Sequence, residues 1–138
     1  MAPLISPGTK LLILRTWYAS HPVRRDDVVA YFYGGDSVPL LKRVRAVAGD
    51  RFDVRRAGGC FEMLINGEAL RNSAGRRYCI PEISSARILL YARSYPVLPE
   101  KSFLILGEDP GGSLDGSSFG LAGERDLRGR AVLPPAGS

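Results

Sequence analysis

Short runs of β-branched, aromatic and aliphatic residues, each closed by a Gly, Pro or Asn-Gly turn, recur along nearly the whole chain. That rhythm leaves little room for anything but sheet. No stretch of roughly eleven residues or more carries a convincing apolar stripe at helical spacing. The runs are "KLLILRTWY" (residues 10–18), "DVVAYFY" (27–33), "PLLKRVRAVA" (39–48), "RFDVRR" (51–56), "RILLYARSYPV" (87–97) and "KSFLILG" (101–107). Between them "CFEMLINGEAL" reads as a hairpin turning at Asn66-Gly67. The end, "RDLRGRAVLPP", reads as a short turn or helical piece followed by a terminal strand. The expectation is an all-β fold, one domain over residues 1–138, with a less regular β excursion over about residues 58–95.

Composition narrows the function only a little. Hydrophobic residues make up 45% and charged residues 24% of the chain, as in ordinary globular proteins. Nineteen Lys and Arg against 14 Asp and Glu give a net charge of +5. The basic residues are scattered, so this excess describes a solvated basic face better than a nucleic-acid groove. No run approaches the roughly 18 apolar residues of a membrane span. The chain also has no n-region and h-region of a signal peptide.

Metal, His-based and phosphate chemistry find no good seat. There are two cysteines, Cys60 and Cys79, too few for a zinc site, and they are either a bridge or a pair of buried thiols. The single His21 sits before Pro22 in a polar loop, a poor position for a triad or a ligand. "DPGGSLDG" has neither the spacing of a calcium loop nor its closing Glu. Gly111-Gly112 lacks the strand, loop and Lys-Ser/Thr of a phosphate cradle.

One residue stands out against this background. Lys42 follows the apolar run Val38-Pro39-Leu40-Leu41 and shares a strand face with Val44 and Ala46, while Arg43 and Arg45 alternate to the other. A strand-end lysine ordinarily snorkels to water. An ammonium held among apolar side chains is disfavoured, and its pKa moves down from the free value of about 10.4.

Three separated stretches then fall in the order of a known family. Met1-Ala2-Pro3 with Pro7-Gly8 comes first, next Arg25-Asp26-Asp27-Val28-Val29 with Lys42-Arg43 and Gly49-Asp50, and last Gly107-Glu108-Asp109 with Ser113-Leu114-Asp115 and Phe119-Gly120. Together they resemble the type I signal peptidases, including the conjugative-transfer signal peptidases, which are serine proteases with a Ser–Lys dyad. The resemblance implies a folded sheet or distorted barrel. It implies that Lys42 is the general base, that Ser113 orients its amine, and that Asp115 pins the loop.

The resemblance also implies that Met1, Pro3, Leu40 and Leu41 line the substrate, which lies extended beside the Leu40-Leu41 strand. The implied substrates are secreted or pilus-type preproteins cut after small residues. Processing would occur at the extracytoplasmic face of the inner membrane or in the periplasm, against a membrane surface, with no cofactor, metal or nucleic acid. An apolar surface near Trp17 would rest in the lipid interface. In that setting Cys60 and Cys79 would be close in space and bridged.

The sequence departs from the family pattern in places. Ser117 stands where the family has the arginine that pairs with the loop aspartate, leaving a backbone amide or Arg43 for that role. The nucleophilic serine of the pattern falls one position before Met1, so a start or boundary downstream of the serine and its membrane anchor is the expectation. Ser6 occupies a variable position and is a poor substitute. Three other readings remain. They are a nucleophile-less homologue that binds extended peptides, a self-cleaving repressor-type domain with the same dyad, and an OB-like nucleic-acid binder supported by charge alone.

Overall fold

The computed structural model describes residues 11–31, 40–110 and 121–132. The expected β architecture is there, as two antiparallel sheets that do not close into a barrel among the described residues. The strands are β1 (Leu12–Leu14), β2 (Val28–Tyr31), β3 (Leu40–Ala46), β4 (Phe52–Ala57), β5 (Cys60–Ile65), β6 (Glu68–Ala69), β7 (Ile80–Pro81), β8 (Ser102–Leu106), β9 (Ala122–Gly123) and β10 (Leu127–Val132). The main sheet runs in the order β1-β10-β2-β3-β8-β9. The second sheet, β4-β5-β6 with β7 added against β5, begins at Phe52, before the expected excursion, and takes in its first half.

Local chemistry explains most of these elements. The β5–β6 hairpin turns on Asn66 and Gly67, at φ 53° and 87°, the pairing that a tight hairpin demands. A 3-10 turn over Glu124–Asp126 leads into β10, as the "RDLRGRAV" pattern suggested.

Two expectations of secondary structure fail, and Ala46, expected on the face of Lys42 and Val44, lies in the other core. Residues 87–97 were expected as a strand, but Ala86–Ser94 is a helix, α1. Its residues are mostly good helix formers, and Ile88, Tyr91 and Ala92 form a short stripe on the core. Nine residues are too few for that stripe to stand out against the β-like composition around it. The first run is also shorter than expected. Beyond Leu14 the chain turns into a 3-10 segment, Trp17–Ala19, so Trp17 is not a core strand residue.

The two faces of the main sheet bury two different cores. On one face Phe103 and Ile105 of β8 pack with Val29, Tyr31 and Val44. On the other, Leu104 and Leu106 pack with Ala46, with Met63, Ile80 and Ile88 of the excursion, and with Phe52 and Leu98 that flank it. Strand β3 serves both because it carries a bulge. Val44 lies opposite Ile105 and Ala46 opposite Leu104, leaving Arg45 as the extra residue.

The crossing between sheets depends on Asp50. Gly49 takes φ +90°, which a side chain resists, and closes the turn out of β3. Asp50 accepts from the Val47 N–H at 2.9 Å, from Arg25 Nη2 at 2.6 Å and from Asn66 Nδ2 at 3.1 Å. One carboxylate thus fastens the turn, the approach to β2 and the β5–β6 hairpin. Burial by itself would raise the pKa of Asp50. The hydrogen bond from Arg25, then those from Val47 and Asn66, outweigh it and hold the carboxyl below its ordinary range.

Cys60 and Cys79 form a disulfide between β5 and the residue before β7, with Cα atoms 5.3 Å apart. The proximity inferred from the family's setting is therefore observed.

Two stability measurements follow. A carboxylate with a depressed folded pKa contributes stability above its unfolded pKa, and that contribution is lost as pH falls. Asp50→Asn should cost on the order of 2 kcal/mol at pH 7 in urea denaturation. The gap to wild type should shrink as pH drops below about 4, and a gap that stays constant with pH would contradict this account of Asp50. Replacing Cys60 and Cys79 together by Ser should cost about 3 kcal/mol under non-reducing conditions, from the length of the loop that the bridge closes. An unchanged urea midpoint would show that the bridge adds nothing.

Candidate active site

Lys42 sits in the third position of β3 and is 7% exposed. It lies directly opposite Val29 of β2 and two residues before Val44, so it shares the face of the Val29–Val44 core. A strand places it there without choice of rotamer: the pleat that puts Val44 inward puts Lys42 inward too. The desolvated setting expected from the sequence is therefore present.

The edge beside Lys42 is also informative. Leu40 and Leu41 pair with Tyr31 and Ala30 of β2 on one side. On the other, the ladder with β8 begins only at Arg43, opposite Leu106. The two leucines, both half-buried, thus lie beyond the end of the β8 ladder. The other sequence-derived site residues, Met1, Pro3, Ser113 and Asp115, lie outside the described residues, as does Ser6.

Behind Lys42, on the opposite face, two arginines crowd together. Arg45 Nη1 donates to the Arg71 carbonyl at 2.7 Å, and Arg43 Nη2 reaches the same oxygen at 3.5 Å. Arg43 lies 4.0 Å from Glu108, and Arg45 lies 3.7 Å from Asp26. Burial, then the nearby charge of Arg43, pushes the Arg45 pKa down. Arg43, suggested by sequence as a partner for Asp115, here reaches Glu108 and Arg71.

Glu108 is the residue that motif reading undervalued. It is 4% exposed and stands where the family pattern has the Asp of Gly-Asp-Asn. Its carboxylate accepts from the Ser73 N–H at 3.0 Å and from the Ser73 hydroxyl at 2.8 Å. The Asn72 amide donates to the Glu108 carbonyl at 2.9 Å. Position 108 could be found from the motif, but Asn72 and Ser73 carried no signal in a polar loop.

At the other end of the main sheet, Trp17 and His21 stack with ring centres 3.6 Å apart, and Arg130 lies 5.2 Å over the indole. His21 Nδ1 is 3.0 Å from the Trp17 carbonyl, so its ring is engaged locally in this turn. The Tyr18 hydroxyl donates to Asp27 at 2.9 Å. Burial, then Asp27, pushes its pKa above the ordinary range, so it stays a donor.

Among the described residues no helix is long and apolar enough to cross a membrane. No curated protein matches the chain. A crystal structure of a signal peptidase I from Enterococcus faecalis V583 is similar in fold, with a TM-score of 0.53 at 20% identity, over 80% of this chain and 97% of that one. The model of the family described as signal peptidase, peptidase S26, matches residues 1–135. With nearly the whole length matched, the chain belongs to the signal peptidase family, peptidase S26.

Proposed function

We propose that this chain is the core of a Ser–Lys endopeptidase that cuts preproteins after small residues, with Lys42 as the general base. The observation that carries this reading is the burial of Lys42 in the middle of β3, opposite Val29. A lysine serves as a base only when neutral, and burial favours the neutral amine. In this reading the amine takes the proton of a serine hydroxyl as its oxygen attacks the substrate carbonyl, a variant of triad logic without histidine.

Ser113 orients the amine and Asp115 pins the loop, as the family pattern implies. The substrate adds a strand along Leu40 and Leu41, where the β8 ladder has not yet begun. Met1 and Pro3 complete the substrate contacts. The proposed setting is the extracytoplasmic face of the inner membrane, with secreted or pilus-type preproteins as substrates. The nucleophile is the serine that the family pattern places immediately before the methionine aligned with Met1.

The test uses two proteins, this 138-residue chain and the same chain with one serine added before Met1. Each is incubated in detergent with a signal-peptide substrate that has alanine at the cut. The serine-extended protein should cleave, and the chain beginning at Met1 should be inert. Turnover by the latter would mean that another hydroxyl, such as Ser6, attacks. In the extended protein Lys42→Ala should abolish cleavage while the unfolding midpoint holds or rises slightly, because a desolvated amine is removed. Near-full activity, or a midpoint lower by many degrees, would make Lys42 a structural residue and end the dyad assignment.

A further inference from the structure

One short loop of the excursion, residues 71–79, meets β3 on the face opposite Lys42. Besides Arg77, which pairs with Glu62 of β5, and the bonds that close the loop on itself and on Leu70, its polar contacts reach β3 or the chain leaving β8. The Arg71 carbonyl receives Arg43 and Arg45, which flank Val44 on β3. Ser73 binds the Glu108 carboxylate with both its N–H and its hydroxyl, and Asn72 binds the Glu108 carbonyl. The Tyr78 hydroxyl donates to the Gly107 carbonyl at 2.6 Å. The Cys79 N–H donates to the Pro110 carbonyl at 2.7 Å.

The loop is itself held firmly. Cys79 is bonded to Cys60. Asn72 Oδ1 accepts from the N–H groups of Ala74 and Arg76, closing the turn on itself. Tyr78 is 1% exposed within the excursion core.

We infer that the 71–79 loop is a positioning element for the Lys42 site, with Ser73 and Tyr78 as its positioning residues. The inference rests on the reading of Lys42 as base and names what holds that base in register. Among the described residues the buried Nε atoms of Arg43 and Arg45 have no hydrogen-bond partner, so the loop's Arg71 carbonyl, the Glu108 that the loop grips and, for Arg45, Asp26 are what steady this crowded pair. The bulge at Arg45 makes that steadiness matter. An extra residue loosens the β3–β8 ladder within three residues of Lys42, and the loop bridges the two strands across the weak point. Gly107 to Pro110, gripped at three residues, also leads in sequence directly to Ser113.

The experiment uses Ser73→Ala and Tyr78→Phe, which remove one hydroxyl each and keep the backbone, and the tyrosine's ring, in place. On the chain as it stands, hydrogen exchange followed by mass spectrometry should rise about fivefold in residues 40–46 and 102–108, the equilibrium effect of one lost hydrogen bond. Residues of β1 and β10 should keep their wild-type protection. Unchanged exchange over 40–46, or an equal rise over the whole sheet, overturns the inference and needs no cleavage assay to do so.

In the serine-extended protein each substitution should lower kcat about tenfold with KM unchanged, the signature of a misplaced catalytic group. Wild-type kcat in both variants beside an inactive Lys42→Ala overturns the positioning role and leaves the proposed function standing. Full activity in Lys42→Ala removes both.

Discussion

A lysine on the inward face of a central strand is the constraint around which this molecule is arranged. The pleat of β3 leaves Lys42 on the same side as Val44, opposite Val29, where an ammonium is poorly solvated. Burying the end of a lysine side chain carries a desolvation cost, and the strand that carries this one is fixed by other contacts. Here the fixing is done on the reverse face. Arg43 and Arg45 cannot follow Lys42 into the apolar core, and they turn instead to the Arg71 carbonyl, Glu108 and Asp26. The same strand thus carries Lys42 and Val44 on one face and, on the other, arginines anchored at the edge of the second core.

The excursion is more than an ornament on the main sheet. Leu104 and Leu106 of β8 share a core with Phe52, Met63 and Ile80, so the two sheets fold on one another's hydrophobic faces. Asp50 adds direction to that packing by tying Arg25, Val47 and Asn66 to a single carboxylate. The disulfide fixes the far side of the same unit at Cys60 and Cys79. The 71–79 loop meets the end of β8 beside this packing, with Cys79 at its own end held by the bridge.

Much of this was legible in the sequence because β periodicity is local. The alternation after Lys42 placed Val44 and Ala46 inward, and Asn66-Gly67 marked the hairpin. Where the reading failed, a nonlocal or short-range effect decided. The bulge at Arg45 moves Ala46 to a different core from Val44, which no alternation pattern reveals. Helix α1 is nine residues long, and its stripe is only Ile88, Tyr91 and Ala92. At the site, the motif reading drew attention to Lys42 and to the stretch containing Glu108. Ser73 and Asn72 escaped it because their importance lies in reaching the carboxylate and the carbonyl of Glu108, some 35 residues away in sequence. Arg25 and Asn66 were missed as partners of Asp50 for the same reason.

The most direct test of the central claim is a titration of Lys42 itself. Selective isotope labelling of the three lysines, Lys10, Lys42 and Lys101, gives NMR signals that Lys42→Arg assigns by loss. The account predicts that the Lys42 amine titrates well below the free value of about 10.4 while the sheet remains folded. A Lys42 that titrates at that free value, or above it, would mean that β3 holds a charged lysine, and the argument for a neutral base at this position would be wrong.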